Sequence, residues 1–120
     1  MTRILAVDDS PSMREVVAIA LQGAGFQVTS AVDGQEALEA ARSQTFDLVL
    51  SDVHMPGMDG ISLIRALRAE AAYRHTPILM LTTESSAERK REGKAAGATG
   101  WIVKPFDPEQ LVATMQRVLR

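Results

Sequence analysis

Short apolar runs alternate with longer amphipathic stretches along the whole chain, and no other feature restricts the fold as much. Ile4 to Val7 (ILAV) is a buried-strand pattern. Ser10 can cap a helix that starts at Pro11, with Met13, Val16, Val17, Ala20, Leu21 and Ala24 as its apolar stripe and Gly23 and Gly25 as its end. Phe26 to Ala31 (FQVTSA) alternates like an edge strand. Asp33 and Glu36 form a capping box for a helix whose inner face is Ala37, Leu38 and Ala41. Leu48 to Leu50 reads as the third strand, and Ile61, Leu63, Ile64 and Leu67 as the third helix. His75 is placed on the surface at the end of that helix.

Ile78 to Leu81 (ILML) is apolar throughout, as a central strand would be. Ser85 and Glu88 open a fourth helix that stops near Gly97, and Trp101 to Val103 is a fifth strand. Asp107, Pro108 and Gln110 start a last helix that turns Leu111, Val112, Met115, Val118 and Leu119 inward. The result is βα five times over. It predicts an α/β fold with a five-stranded parallel sheet and helices on both faces, because each right-handed crossover carries a helix back over the sheet.

Composition narrows the function classes. The 120 residues suffice for a single domain over 1–120, and 46% apolar content suits a packed core. Thirteen basic against fifteen acidic residues give no electrostatic case for direct nucleic-acid binding. Without cysteine there is no disulfide frame or thiolate chemistry. No apolar run approaches the roughly 18 residues of a membrane span, and the N-terminus lacks a signal peptide's apolar segment. A cytoplasmic protein with no membrane partner is the expectation.

Open sheets of this kind build their sites beyond the carboxyl ends of the strands. Those ends carry Asp8 and Asp9, then Asp33, Asp52, Thr82 with Thr83, and Lys104 with Pro105. Each has a plain structural use taken alone. An Asp between strand and helix serves as a cap or turn residue, a Thr as a cap, a Lys as a solvated surface group. Brought together, three carboxylates repel and need a cation. A hard divalent ion, Mg²⁺ above all, takes such oxygen ligands and keeps some waters. With Lys104 and a hydroxyl nearby, the set fits phosphoryl transfer, in which Asp52 is the nucleophile and Thr82 bonds a phosphoryl oxygen of the product.

The motifs VDDS, SDVHMPGMDG, TTES and AGATGWIVKPF each follow their own strand in order. They resemble the receiver domains of two-component response regulators, over essentially the whole chain, and especially the chemotaxis members. The resemblance, not the alternation, implies the flavodoxin-like strand order 2-1-3-4-5. It also implies that Asp52 is the phosphoacceptor, that Asp9 binds Mg²⁺ directly, and that Asp8 acts partly through water. The backbone carbonyl of His54 would be a further ligand. Thr82 matches the switch hydroxyl and Lys104 the phosphate-binding lysine, followed by a cis bond to Pro105. Trp101 stands where the family has a Tyr or Phe that changes rotamer. Its alternative is an inert cover between the fourth and fifth helices. His54 either tunes loss of the phosphoryl group or is a solvated loop residue.

The fourth helix is polar on nearly every side (ERKREGK, Glu88 to Lys94) and carries Gly93 inside it. It is either a solvated face or a loosely held switch element presenting Arg89, Lys90, Lys94 and Trp101. The resemblance implies a monomer that acts as a switch rather than a turnover enzyme. Its partners would be a CheA-like histidine kinase and a flagellar motor switch protein or a phosphatase. Two alternatives stay open: a receiver cut from a DNA-binding regulator or a phosphorelay intermediate, and a hydrolytic phosphatase with an Asp nucleophile. The phosphatase is the weaker of the two because its usual second acid, two residues on, is His54 here.

Overall fold

The computed structural model describes residues 1–83 and 87–119. In chain order the elements are β1 (Arg3–Val7), α1 (Pro11–Gly23), β2 (Gln27–Ala31), α2 (Gly34–Ser43), β3 (Leu48–Asp52), α3 (Gly60–Arg68), a short 3₁₀ turn (Ala71–Tyr73), β4 (Ile78–Thr82), α4 (Ala87–Ala96), β5 (Gly100–Val103) and α5 (Pro108–Val118). The strands form one parallel sheet in the order β2-β1-β3-β4-β5. This is the expected alternation and the expected order. Among the described residues no helix is long and apolar enough to cross a membrane.

Helix starts follow the capping chemistry. The side chains of Ser10, Asp33, Asp59 and Asp107 accept the amides of Met13, Glu36, Ser62 and Glu109, satisfying donors that a helix cannot bond internally. The Ser85 cap lies outside the described residues. Two apolar layers sandwich the sheet. On one face α1 and α5 cover Ile4, Ala6, Leu48, Leu50, Leu79 and Leu81 with Val17, Leu21, Leu111 and Met115. On the other, α2, α3 and α4 cover Leu5, Val7, Val49, Ile78 and Met80. Covered on both sides, β3 and β4 are buried at every residue, while β2 at the edge is half exposed.

Three expectations need correction. The inner face of α1 is narrower than the stripe read from sequence. Val17 and Leu21 are buried, but Val16 is 45% exposed and Ala24 lies beyond the helix on the surface. The row Met13, Val17, Leu21 meets the sheet, and Val16, 100° around the helix from Val17, points away from it. The strands also run further than their apolar cores, so that Asp52 and Thr82 are the last residues of β3 and β4. His75 does not end the third helix. The helix stops at Arg68, and the 3₁₀ turn intervenes. Tyr73 is drawn inward there, its hydroxyl donating toward the carbonyls of Ala41 (2.7 Å) and Gln44 (2.9 Å). His75 is exposed in the loop beyond.

Candidate functional site

The register of the sheet assembles the site. Val7 pairs with Ser51, Asp52 with Leu81 and Thr82 with Val103, so β1, β3, β4 and β5 end at one edge. Asp8 leaves β1 there and stays buried because its amide still bonds Ala31 O at 3.1 Å. Its Oδ1 accepts the Ser10 amide at 2.9 Å, which turns the chain into α1. Asp9 is exposed at the mouth. One carboxylate oxygen from each of Asp8, Asp9 and Asp52 lies within 4.8 Å of the others.

Lys104 crosses from the end of β5 to this cluster. Its Nζ donates to Asp8 Oδ2 at 3.0 Å and to Asp52 Oδ2 at 3.2 Å, with all three side chains largely shielded from water. The Lys104 amide bonds Thr82 O at 2.8 Å, and the Lys104–Pro105 peptide is cis. Asp52 Oδ1 accepts the amides of Val53 (2.8 Å) and His54 (3.4 Å). Thr82 is fully buried at the neighbouring strand end, whereas Thr83 is exposed.

These contacts set the protonation chemistry. Burial pushes the Asp52 carboxyl above its ordinary value, Lys104 pulls it down, and the Asp8 charge pushes it up again, leaving a net upward displacement. For Lys104, burial opposes the charge, but the hydrogen bond to Asp8 and the charges of Asp52 and Asp8 outweigh it and hold the ammonium above its usual value.

The loop after β3 keeps the cluster open. Gly57 takes φ +74°, a left-handed turn that costs a glycine nothing, and Gly60 packs its Cα against the Asp52 carbonyl so closely that a Cβ would overlap it. His54, Met55, Pro56 and Gly57, with Asp9 and Asp59, line a depression beside the carboxylates. His54 is exposed on this rim, so the structure leaves both of its readings standing. Asp59 caps α3. Burial opposes its charge, but the bonds from Ser62 and the nearby Arg89 and Arg65 charges hold the carboxyl below its ordinary value.

The donor set fits a hard divalent cation: three carboxylates, two of them buried and one facing solvent. One residue escaped the sequence reading. Arg14 Nη1 donates to the Asp8 backbone carbonyl at 2.7 Å and so braces the acidic turn from α1. Its signal was a cation early in α1, where the helix dipole disfavours positive charge. Trp101 is half-buried and packs with the α2–α3–α4 layer, its ring against Gly93 of α4. The ring also borders depressions lined by Lys90 and Lys94 of α4 and by Gln110 and Thr114 of α5, so the cover between the fourth and fifth helices stands beside the switch reading.

Fold and site together define a doubly wound α/β domain with an acidic, lysine-bridged pocket at the carboxyl ends of its strands. Within that class the chain belongs to the response regulator receiver domain family, whose pattern matches residues 4–116. Its structure is similar to that of the chemotaxis protein CheY4 of Vibrio cholerae, with a TM-score of 0.96, 56% identity and 98% of each chain covered. The sequence is 39% identical over 117 residues to the chemotaxis protein CheY of Pseudomonas aeruginosa, covering 97% of this chain and 94% of the relative. It is 43% identical over 118 residues to the DNA-binding response regulator MtrA of Mycobacterium tuberculosis (strain H37Rv), covering 98% of this chain and 50% of the relative. The chain thus spans about half the length of the first curated relatives it matches.

Proposed function

We propose that this protein is a phosphorylation-activated switch in which Asp52 accepts a phosphoryl group from the phosphohistidine of a CheA-like histidine kinase. The observation that carries the reading is the Lys104 ammonium bridging Asp8 and Asp52 at a shared strand edge. In the transfer the phosphorus–nitrogen bond of the donor breaks, a carboxylate oxygen of Asp52 bonds phosphorus, and the imidazole leaves with the bonding electron pair. The Val53 and His54 amides orient the nucleophile through Oδ1. Lys104 neutralises charge on the phosphoryl oxygens and remains bonded to them in the product. The Thr82 hydroxyl reads the product from the adjacent strand end. Asp8, Asp9, Asp52 and the His54 backbone carbonyl would hold Mg²⁺, which when bound supplies positive charge to the transferring phosphoryl oxygens.

Similarity to chemotaxis proteins supports a motor switch protein or a phosphatase as partner. The similarity to MtrA favours a second reading in which the same chemistry serves a DNA-binding regulator or a phosphorelay. Incubation with Mg²⁺ and a small phosphodonor tests the shared chemistry. A mass increase of one phosphoryl group is expected in the native protein and not in Asp52→Asn. No increase in the native protein would refute the proposal, and sustained turnover of phosphate esters would favour a phosphatase.

A further inference from the structure

Gly93 is the unusual residue of α4. It costs a helix interior stability relative to alanine, yet it is buried, as Ala96 is, in a helix whose own residues are largely polar. A Cβ at this position would stand 2.7 Å from Cζ3 of Trp101, 3.5 Å from Cε3 and 3.6 Å from Cη2. The first distance is shorter than carbon atoms tolerate, and a rigid indole held by the α2–α3–α4 layer cannot yield at one edge without rotating as a whole. Further along, Arg68 fixes the end of the same helix. Its Nε and Nη2 donate to Gly97 O at 3.1 and 2.8 Å, while its Nη1 donates to Tyr73 O and Thr76 O, each at 2.7 Å. Trp101 pairs across the sheet with Met80, two residues before Thr82 and on the same face of β4.

We infer that Gly93 is a seat for the Trp101 indole, a matched pair that ties α4 to the strand beside the switch hydroxyl. With its far end held by Arg68, α4 shifts from its site-proximal end, and any such shift moves the indole. Gly93 is therefore a positioning residue that acts through Trp101, and its role in signalling rests on the switch function proposed above.

A double-mutant cycle tests the pair. Helix propensity alone predicts that Gly93→Ala stabilises the protein. The seat predicts the reverse: a folded-to-unfolded ratio about tenfold lower at fixed urea, with Trp101 emission shifted to the red as the ring moves into water. In a Trp101→Ala background, Gly93→Ala becomes stabilising. A stabilising Gly93→Ala in the native background, or the same loss in both backgrounds, would overturn the seat. Beryllofluoride with Mg²⁺ then tests the coupling, with occupancy read independently by fluorine NMR. Emission should change in the native protein and change less in Gly93→Ala. Occupancy without an emission change in the native protein would overturn the coupling. Absence of occupancy itself would count against the phosphoacceptor reading, while the urea cycle still decides the seat.

Discussion

The centre of the molecule at the scale of residues is a contest of charge among Asp8, Asp52 and Lys104. Asp52 has its carboxyl raised by burial and by Asp8, so the folded state binds its proton more tightly than the unfolded chain does. Stability therefore falls as pH rises through the window from the ordinary carboxylate value to the raised one, and the cost is complete above the raised value. Asp52→Asn should raise the urea midpoint at pH 7 without divalent ions. Mg²⁺ should shrink the difference by stabilising the native protein, and a lower midpoint for the variant would contradict the charge argument. Lys104→Met should act oppositely, costing about 3 kcal/mol because it strands two buried carboxylates, with part of the loss recovered in Mg²⁺. Neither Asp8 nor Lys104 stands out alone in the sequence, but their order at successive strand ends made the cluster legible. Arg14 was less so, since its acceptor is a backbone carbonyl, which leaves no mark on residue type.

Among the elements, helix ends were legible and helix anchors were not. Asp59 followed by Gly60 announces the start of α3, and the structure puts the carboxylate on the Ser62 amide at 2.8 Å. Asp59→Ala should cost about 1 kcal/mol. Because its carboxyl lies below the ordinary value, the contribution is present above that value and lost as pH falls through the lowered one. The gap between native protein and variant should therefore narrow in acid, as urea titrations at pH 7 and at successively lower pH would show. Arg68, by contrast, looked like an ordinary cation at a helix end. Its guanidinium instead joins three backbone carbonyls, two from the connection before β4 and one from the end of α4, a convergence that exists only once the chain has folded. Arg68→Ala should cost about 2 kcal/mol, as hydrogen bonds to a charged group do, and speed amide exchange in the last turn of α4. Arg68→Lys should not restore it, since an ammonium lacks the planar fork. Gly93 was legible as a helix weakness, but not as a seat, because the ring that fills it comes from another element.

The whole molecule works because a parallel sheet delivers residues from positions 8, 9, 52, 82 and 104 to one edge. The βα alternation alone implied the layers, while the strand order came from resemblance and is the order observed. The central claim is that this edge makes Asp52 the phosphoacceptor. Phosphorylating the protein with Mg²⁺ and a small phosphodonor, reducing the acyl phosphate with borohydride and sequencing the peptides by mass spectrometry tests it most directly. The account predicts homoserine at position 52 and nowhere else. Reduction at Asp8 or Asp9, or a phosphoryl group on His54, would contradict it.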